Sequence, residues 1–234
     1  MKLYVFDSCP YCTRTRTLIG LKDIPCDIDC VVAGALPDHL KGKVGRFSVP
    51  ILEIPNAAEG LDGVMQESSQ IIDHLDGVSG ERLLSVTSPS KDVQDWLDTN
   101  RPAINALCYP RMPALKLPEL GSPKAMEYFL SSRPESIGMS LLDALAKTND
   151  LTSQLKSSLE ELSVVADTEI YLQRNRPISF DDLVVFAELR NLTMVKELRL
   201  PATLAQFVVQ ISQEASVPVY RGIAAADMEE MAVA

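Results

Sequence analysis

Hydrophobic and polar positions change period several times along the first third of the chain. The apolar run of residues 2–6 predicts a short buried strand. Residues 10–20 predict a helix that begins with Pro10, because the first helical position tolerates the missing N–H of proline. The other elements predicted before residue 76 are a strand over 26–32, a short helix over 37–42, strands over 48–54 and 63–66 joined by a Gly- and Asn-containing turn, and a helix over 67–75.

This order, βαβ followed by α and ββα, is typical of a thioredoxin-like α/β unit with a parallel half and a closing hairpin. Within it, Cys26, Ile28 and Cys30 alternate with Asp27 and Asp29. Side chains point alternately to the two faces of a strand, so we expect the two cysteines and the isoleucine to share a buried face.

Strand patterns nearly vanish after residue 76. Residues 76–89 are rich in Gly, Ser, Thr and Val and are interpreted as a linker. We therefore predict a thioredoxin-like domain over 1–75 and an all-α domain over 90–234, whose tail after Tyr220 is either a helix end or disordered. Helical spacing or composition appears over 91–108, 123–131, 138–166, 180–198 and 202–214.

The start of one helix in the second domain is unusually well marked. In ISFDDL, Ser179 and Asp182 have the spacing of a capping box, and Ile178 and Leu183 occupy the two positions of a hydrophobic staple. The following LVVFAELRNLTMV is apolar on most sides, which predicts a helix at the centre of the domain.

Composition and charge exclude several classes of function. The 234 residues are 46% hydrophobic and carry a formal net charge of −10, so we expect a globular protein that binds neither nucleic acid nor an anionic membrane. No apolar run approaches the roughly 18 residues needed to span a bilayer, and the N-terminus does not resemble a signal peptide. We expect a cytoplasmic location, where the five cysteines would not form a structural disulfide framework.

The spacing of four cysteines allows a zinc site to be considered. Cys9-x2-Cys12 followed by Cys26-x3-Cys30 has roughly the pattern of a four-thiolate ribbon. A strand would separate Cys26 from Cys30 by about 13 Å, however, which is too far for one ion. We therefore expect no metal, and we interpret Cys26, Cys30 and Cys108 as buried bystanders.

Cys9 and Cys12 are better explained as a redox couple. A strand, a short turn and a helix-starting proline place Cys9 at a helix N-terminus, where free N–H groups and the helix dipole favour an anion, with Cys12 one turn further on. Lowering a thiol pKa from about 8.5 to about 6 takes roughly 3.4 kcal/mol, and the dipole supplies at most about 2 kcal/mol. We expect the remainder from the N–H groups of Tyr11 and Cys12, from the Cys12 thiol and, to a smaller extent, from Arg14.

Cys9-Pro10-Tyr11-Cys12 resembles the dithiol motif of glutaredoxins. A helical domain behind it, entered through QESSQIIDHLD, resembles the glutathione S-transferase architecture. The combination resembles the bacterial glutaredoxin-2 group over nearly the whole chain, including YPRM at 109–112 and LRNLTMV at 189–195. The resemblance implies a monomer that acts as a glutathione-dependent thiol-disulfide oxidoreductase.

The resemblance also implies a glutathione site. The Val49-Pro50 bond would be cis and would expose the Val49 backbone to the cysteinyl part of glutathione. Ser68 would cap a helix and bind the γ-glutamyl carboxylate, and Glu67 would pair with its ammonium group. Tyr11 either lines the cleft or is a solvated spacer. The cation for the glycyl carboxylate stays open among Arg14, Lys22, Lys41, Lys43 and Arg46.

In the expected reaction Cys9 is the exposed nucleophile and Cys12 is the buried resolving thiol. The substrates would be glutathione mixed disulfides and other disulfides, with glutathione as co-substrate and no metal. A conjugating glutathione S-transferase, a dehydroascorbate reductase and a non-catalytic scaffold of the same fold remain as alternatives.

Overall fold

The N-terminal part of the chain is a four-stranded mixed sheet flanked by helices. The computed structural model describes residues 1–55, 63–78 and 80–228. The strands lie in the order β2-β1-β3-β4, with β1 parallel to β2 and antiparallel to β3, and with β3 antiparallel to β4. Their bounds are β1 Lys2–Val5, β2 Asp27–Cys30, β3 Ile51–Glu53 and β4 Val64–Met65. The predicted parallel half and closing hairpin are confirmed, while the turn predicted between β3 and β4 lies largely outside the described residues.

Alternation along β1 gives the sheet two apolar faces. Leu3 and Val5 are fully buried and belong to the main core, whereas Tyr4 points to the other face and packs with Leu40 and Ile51. This strand is central in the sheet, which explains why its residues form a continuous apolar run in the sequence.

The predicted buried face of β2 is wrong. Ile28 is 43% exposed, and Cys26 and Cys30 are only half-buried. Alternation correctly predicts a strand, but β2 lies at the edge of the sheet and has one neighbour only. An edge strand has less of its surface covered than a central one, so the same pattern accompanies much less burial.

Helices make up most of the remaining described chain. The segments predicted over 91–108 and 202–214 are confirmed to the residue, but 138–166 divides into two helices and 37–42 forms only a 3-10 turn before an extended Lys41 and Gly42 at φ +82°. The helices are α1 Pro10–Leu21, α2 Ser68–Val78, α3 Lys91–Cys108, α4 Pro123–Ile137, α5 Leu141–Ala146, α6 Thr148–Val165, α7 Thr168–Leu172, α8 Phe180–Leu192 and α9 Ala202–Glu214, with 3-10 turns at Asp38–Leu40, Tyr109–Leu115 and Pro118–Leu120.

The central helix of the second part begins as predicted. Ser179 accepts a hydrogen bond from the Asp182 N–H at 3.3 Å, and the Asp182 carboxylate accepts one from the Ser179 N–H at 2.7 Å. Every residue of α8 except Asp181 is buried. Residues 225–228 of the tail are helical, and residues 229–234 lie outside the described part. In the part of the chain that the structure describes, no helix combines the length and apolarity needed to cross a membrane.

One hydrophobic core runs through both parts of the chain. It joins Leu3 of β1, Ile71 of α2, Phe186 of α8 and other buried residues. The helix that carries the two cysteines, α1, packs against α2 on one side and against α8 and α9 on the other. The beginning of α1 is therefore fixed between the sheet and the helical part, and this is where the site lies.

Candidate active site

Cys9 immediately precedes α1 and has an extended backbone conformation, with φ −73° and ψ 119°. Pro10 follows at the first helical position, so the N–H groups of the first turn are free to point toward the sulfur. Cys9 is half-buried, whereas Cys12 is completely buried, and both are free thiols. The predicted asymmetry between an accessible and an inaccessible sulfur is present.

The surroundings of Cys9 favour its thiolate. A hydrogen bond from the Cys12 thiol, backbone hydrogen bonds from Cys12 and Tyr11, and the charge of Arg14 together hold the pKa of Cys9 below its ordinary value, against the opposing effect of burial. Burial, together with the neighbouring Cys9 sulfur, raises the pKa of Cys12 well above the ordinary value. Cys9 is therefore the thiol that ionises first.

A cavity of about 470 Å³ opens beside the cysteines between the two parts of the chain. The five residues predicted to bind glutathione line it together, although they come from three separate segments of the first 75 residues. The helical side of its wall comes from the segment before α3, from α3 itself and from Phe180 at the start of α8. Its lining includes Tyr11, Arg14, Ser48, Val49, Pro50, Glu67, Ser68, Thr87, Gln94 and Arg101.

Glu67 and Ser68 stand at the start of α2, but their roles in the helix differ from the prediction. The Glu67 carbonyl accepts the first helical hydrogen bond, from the Ile71 N–H at 3.0 Å, so Glu67 and not Ser68 precedes the helix. Glu67 has φ +69°, which is unfavourable for a residue with a Cβ. Such conformations cluster at ligand sites, where the surrounding structure maintains them.

Among the five candidate cations, Arg14 lines this cavity and the other four do not. Arg14 is only 6% exposed. Its Nε and Nη2 atoms have no hydrogen-bond partner. The guanidinium lies over the Tyr11 ring, 4.5 Å from its centroid, and 3.5 Å from Glu188 Oε1. Lys22 and Lys41 are engaged elsewhere, by Asp76 and Asp38 respectively.

The Val49-Pro50 peptide bond is cis, as expected from the resemblance. The Cys9 sulfur lies 3.9 Å from the Val49 carbonyl oxygen. Val49 also borders a second cavity, of about 510 Å³, which Cys9 itself lines. Tyr11, which is 44% exposed, lines both cavities, so it is a wall residue that also contacts solvent.

Residues far along the chain hold the loop that leads to Cys9. The carboxylate of Glu119 accepts hydrogen bonds from the Asp7 N–H at 3.1 Å and from the Ser8 N–H at 2.9 Å. The Asn191 amide donates to the Ser8 carbonyl at 2.8 Å, and Arg190 pairs with the Asp7 carboxylate at 3.1 Å. The helical part therefore sets the position of the backbone next to Cys9.

Sequence reasoning missed this contribution of the helical part. Glu188, Arg190 and Asn191 interrupt an otherwise apolar stretch that was predicted to be central. Charged and amide side chains are rarely buried without a partner, so their presence in a central helix indicates a polar contact with another element. The pattern does not say which element. Here Arg190 and Asn191 contact the loop before α1, and Glu188 lies 3.5 Å from an arginine of α1 and from one of α3.

Across residues 1–55, 63–78 and 80–228, no group of three or more His, Cys, Asp or Glu side chains is placed to hold a metal ion. The described site is therefore built of thiols, backbone groups and a buried arginine.

Comparisons with known proteins agree with this architecture. Residues 92–224 match the family described as Glutaredoxin 2, C terminal domain, and residues 3–82 match the N-terminal domain of glutathione S-transferases. Glutaredoxin 2 of Escherichia coli K12 is 30% identical over 209 residues, which cover 88% of this chain and 92% of that protein. The crystal structure of glutaredoxin 2 from Salmonella typhimurium in complex with glutathione is 25% identical, covers 93% of this chain and 95% of its own, and superposes with a TM-score of 0.79.

Proposed function

The chain belongs to the glutaredoxin 2 family, and from that premise we propose that it is a glutathione-dependent thiol-disulfide oxidoreductase whose nucleophile is Cys9. The observation that carries the proposal is the position of Cys9: a half-buried sulfur with a lowered pKa, 3.9 Å from the carbonyl oxygen of Val49, which lines the 470 Å³ cavity. The complex of the Salmonella relative with glutathione supports glutathione as the co-substrate.

The lining of the 470 Å³ cavity suits the charges of glutathione. Glutathione carries two carboxylates and one ammonium group, and the cavity offers Glu67 for the ammonium group and the N-terminus of α2 at Ser68 for a carboxylate. Arg14 is a second anion-binding group, because its buried Nε has no hydrogen-bond partner and its Nη2 has only a long contact with Glu188, at 3.5 Å. The backbone of Val49 would pair with the cysteinyl part of the ligand in the manner of an added strand.

The cavity also requires both parts of the chain. Its walls come from residues 1–75 and from α3, with Thr87, Ser88 and Pro89 of the intervening segment between them. We therefore propose that residues 1–75 supply the nucleophile and most of the tripeptide site, that 76–89 connect, and that 90–234 complete the cavity. A truncated N-terminal part would lack one wall of the site.

The reaction follows from the ionisation of the two thiols. The Cys9 thiolate attacks the glutathionyl sulfur of a mixed disulfide, forms a Cys9–glutathione disulfide and breaks the original S–S bond. The substrate leaves as a thiolate and takes a proton from solvent. Cys9 has been oxidised and the substrate thiol has been reduced.

Two routes regenerate the Cys9 thiol. A second glutathione can attack the bound glutathionyl sulfur and leave as glutathione disulfide, which frees the Cys9 thiolate. Alternatively Cys12 loses its proton and attacks the Cys9 sulfur, which releases glutathione and forms a Cys9–Cys12 disulfide that two further glutathione molecules reduce. In the reduced protein the pKa of Cys12 is raised by burial and by the Cys9 sulfur. This second route therefore depends on a change in the surroundings of Cys12 once Cys9 is modified.

A coupled assay with glutathione, glutathione reductase and a glutathione mixed disulfide tests the proposal. Wild type is expected to be active, Cys9→Ser inactive, and Cys12→Ser partly active toward mixed disulfides but inactive toward substrates that need both thiols. Cys26→Ser, which changes a half-buried thiol outside the pair and outside both cavities, serves as the matched control. Full activity of Cys9→Ser would contradict the assignment.

A transferase reaction on the same fold is tested by an aromatic chloride electrophile in place of the disulfide. The Cys-x-x-Cys pair and the low pKa of Cys9 favour disulfide exchange over stabilisation of the glutathione thiolate. We expect turnover of the mixed disulfide and no comparable conjugation.

A further inference from the structure

The second cavity, which Cys9 lines, has a chemical character of its own. Cys9 and Glu119 are among the residues that line it, and most of the remaining wall is apolar or aromatic. Its volume of about 510 Å³ lies in the range of small-molecule sites. The apolar and aromatic wall consists of Phe6, Val49, Ile104, Tyr109, Met112, Leu120, Tyr128 and Phe129.

Arg133 gives this apolar cavity a positive charge. Its guanidinium carbon lies 5.1 Å from the centroid of the Tyr109 ring and 5.4 Å from that of Phe129. Its Nε is buried without a hydrogen-bond partner, and no carboxylate of the described residues forms an ion pair with it. Arg101, which also lines the cavity, is 3.5 Å from Glu188.

The acidic residue in the wall, Glu119, keeps its charge but forms no ion pair with Arg133 among the described residues. The Glu119 carboxylate instead binds the loop before α1, where it accepts hydrogen bonds from the Asp7 and Ser8 N–H groups and from the Ser8 hydroxyl at 2.6 Å. A second unpartnered polar atom is Asn191 Oδ1, on a side chain that is 4% exposed and lines the same cavity. The wall therefore combines flat apolar surface with an unpaired cation and an unused acceptor.

Building on the proposed function, we propose that this second cavity binds the non-glutathione half of the mixed disulfide and that Arg133 selects small thiols that carry an anionic group on an aromatic or apolar body. The two cavities share Tyr11, Ser48, Val49 and Arg101, and Cys9, which lines the second, has its sulfur 3.9 Å from the carbonyl oxygen of the shared Val49. A mixed disulfide can therefore place its glutathionyl half in one cavity and its other half in the second, with the S–S bond at Cys9.

The chemistry of the step agrees with a cationic wall. When the Cys9 thiolate forms its bond to the glutathionyl sulfur, the electron pair of the broken S–S bond moves to the departing sulfur. That sulfur leaves as a thiolate inside the second cavity and is protonated by solvent. Arginine at an aromatic wall attracts the anionic substituent of the departing thiol, away from the reacting sulfur atoms.

The test uses mixed disulfides of glutathione with three benzylic thiols that differ only at the para position, which carries a carboxylate, a hydrogen or an aminomethyl group. The distant substituent changes the charge and leaves the benzylic S–S bond closely similar. In wild type, kcat/KM for the carboxylate compound is expected to be at least about tenfold higher than for the ammonium compound. A factor of this size corresponds to one charge-assisted hydrogen bond.

Arg133→Gln is expected to bring this ratio close to one, and Arg133→Lys to retain part of it. Arg174→Gln is the matched control, because Arg174 is an exposed arginine paired with Glu214 on the helical part and lies outside both cavities. The mixed disulfide of glutathione with 2-mercaptoethanol, which has no charge and little apolar surface, reports the basic reaction in every variant and is expected to react equally in all of them.

Equal kcat/KM values for the carboxylate and ammonium compounds in wild type, or a preference that survives in Arg133→Gln, would overturn the inference while leaving the proposed function intact. No turnover of any probe, 2-mercaptoethanol included, would contradict the proposed function itself and the inference with it.

Discussion

The Cys9 thiolate depends on interactions that can be removed one at a time. The hydrogen bond from the Cys12 thiol is the largest influence on the pKa of Cys9, followed by the opposing effect of burial and by two backbone N–H groups. Cys12 thus has two functions in our account: it stabilises the anion before the reaction and resolves the intermediate after it.

Replacing Cys12 tests the first function. Cys12→Ala removes the donor and is expected to shift the pH midpoint of Cys9 alkylation upward, whereas Cys12→Ser retains a hydroxyl donor and should shift it less. The measurement is the alkylation rate of Cys9 by iodoacetamide against pH, with mass spectrometry to identify the site. Cys26 and Cys30 are internal controls, since burial raises the pKa of each thiol.

In wild type, Cys9 should react at a lower pH than Cys26 or Cys30 and below the midpoint of a free thiol, about 8.5. A Cys9 midpoint at or above those of the two control thiols would contradict the assignment.

At this scale the sequence predicted the groups that surround the Cys9 sulfur, because all of them lie within about one helical turn, while the role of Cys9 as nucleophile stays a prediction. It did not select Arg14 from five cations, since that choice depends on which side chains face the cavity in the folded chain. It also misplaced the start of α2 by one residue, because a serine after a glutamate fits both positions and the left-handed conformation of Glu67 decides between them.

The element that carries the site, α1, is held against α9 by a close backbone contact. Gly20 lies near the C-terminal end of α1, and a Cβ added there would be 1.8 Å from the carbonyl oxygen of Ala215. The neighbour is backbone and cannot rotate aside, so a side chain at position 20 would push the two helices apart.

Gly20→Ala therefore tests whether α1 has to lie this close. In an exposed helix the change would stabilise by up to about 1 kcal/mol, but here overpacking is expected to lower the free energy of unfolding by about 1–3 kcal/mol. Urea denaturation measures the difference. Gly45→Ala is the matched control, because nothing lies within 4 Å of a Cβ at that position and its φ is not positive.

Unchanged or increased stability of Gly20→Ala would show that α1 and α9 are not packed this closely.

Elements with strong local signatures were predicted well. The capping box at Ser179 fixes the start of α8, and regular spacing fixes α3 and α9. Burial was predicted less well, as β2 shows, because it depends on the neighbours that the sheet supplies. The helix expected over 37–42 failed for a local reason: Lys41 is extended and Gly42 has a positive φ, so the turn ends after Leu40.

For the whole molecule, the contact between the two parts is centred on Asp7. Its carboxylate pairs with Arg190, accepts a hydrogen bond from the Tyr220 hydroxyl at 2.5 Å, and pairs with Arg16 at 2.7 Å. Burial alone would raise the pKa of Asp7, but Arg190, Tyr220 and Arg16 outweigh it and lower the pKa. Asp7 therefore stabilises the fold in its charged form.

Asp7→Asn should destabilise the protein in a pH-dependent way. Removing the charge leaves the buried Arg190 without its charged partner. We therefore expect the free energy of unfolding to fall by about 2–3 kcal/mol, which is less than for a fully buried pair because the Asp7 side chain is 20% exposed. Since the folded pKa lies below the unfolded value of about 3.9, the difference from wild type should be complete above that pH and disappear as the pH falls through the folded pKa.

Urea denaturation between pH 3 and pH 7 measures this, with the exposed Asp27→Asn as control. A difference that does not shrink toward the acid end, or none at neutral pH, would contradict the role of Asp7.

The sequence predicted the order of the two parts but not how they meet. Asp7 and Arg190 are 183 positions apart, and nothing in a local pattern pairs them. The polar residues of α8 indicated only that some buried partner exists. A contact of this kind is set by the packing of α1 against α8, which is a property of the assembled molecule.

The most direct measurement of the central claim is mass spectrometry of the reduced Cys12→Ser protein after brief exposure to glutathione disulfide at neutral pH. The account predicts one glutathionyl group per chain, bound to Cys9, with one glutathione released. Glutathionylation at Cys26 or Cys30 in place of Cys9, or no adduct at all, would contradict it.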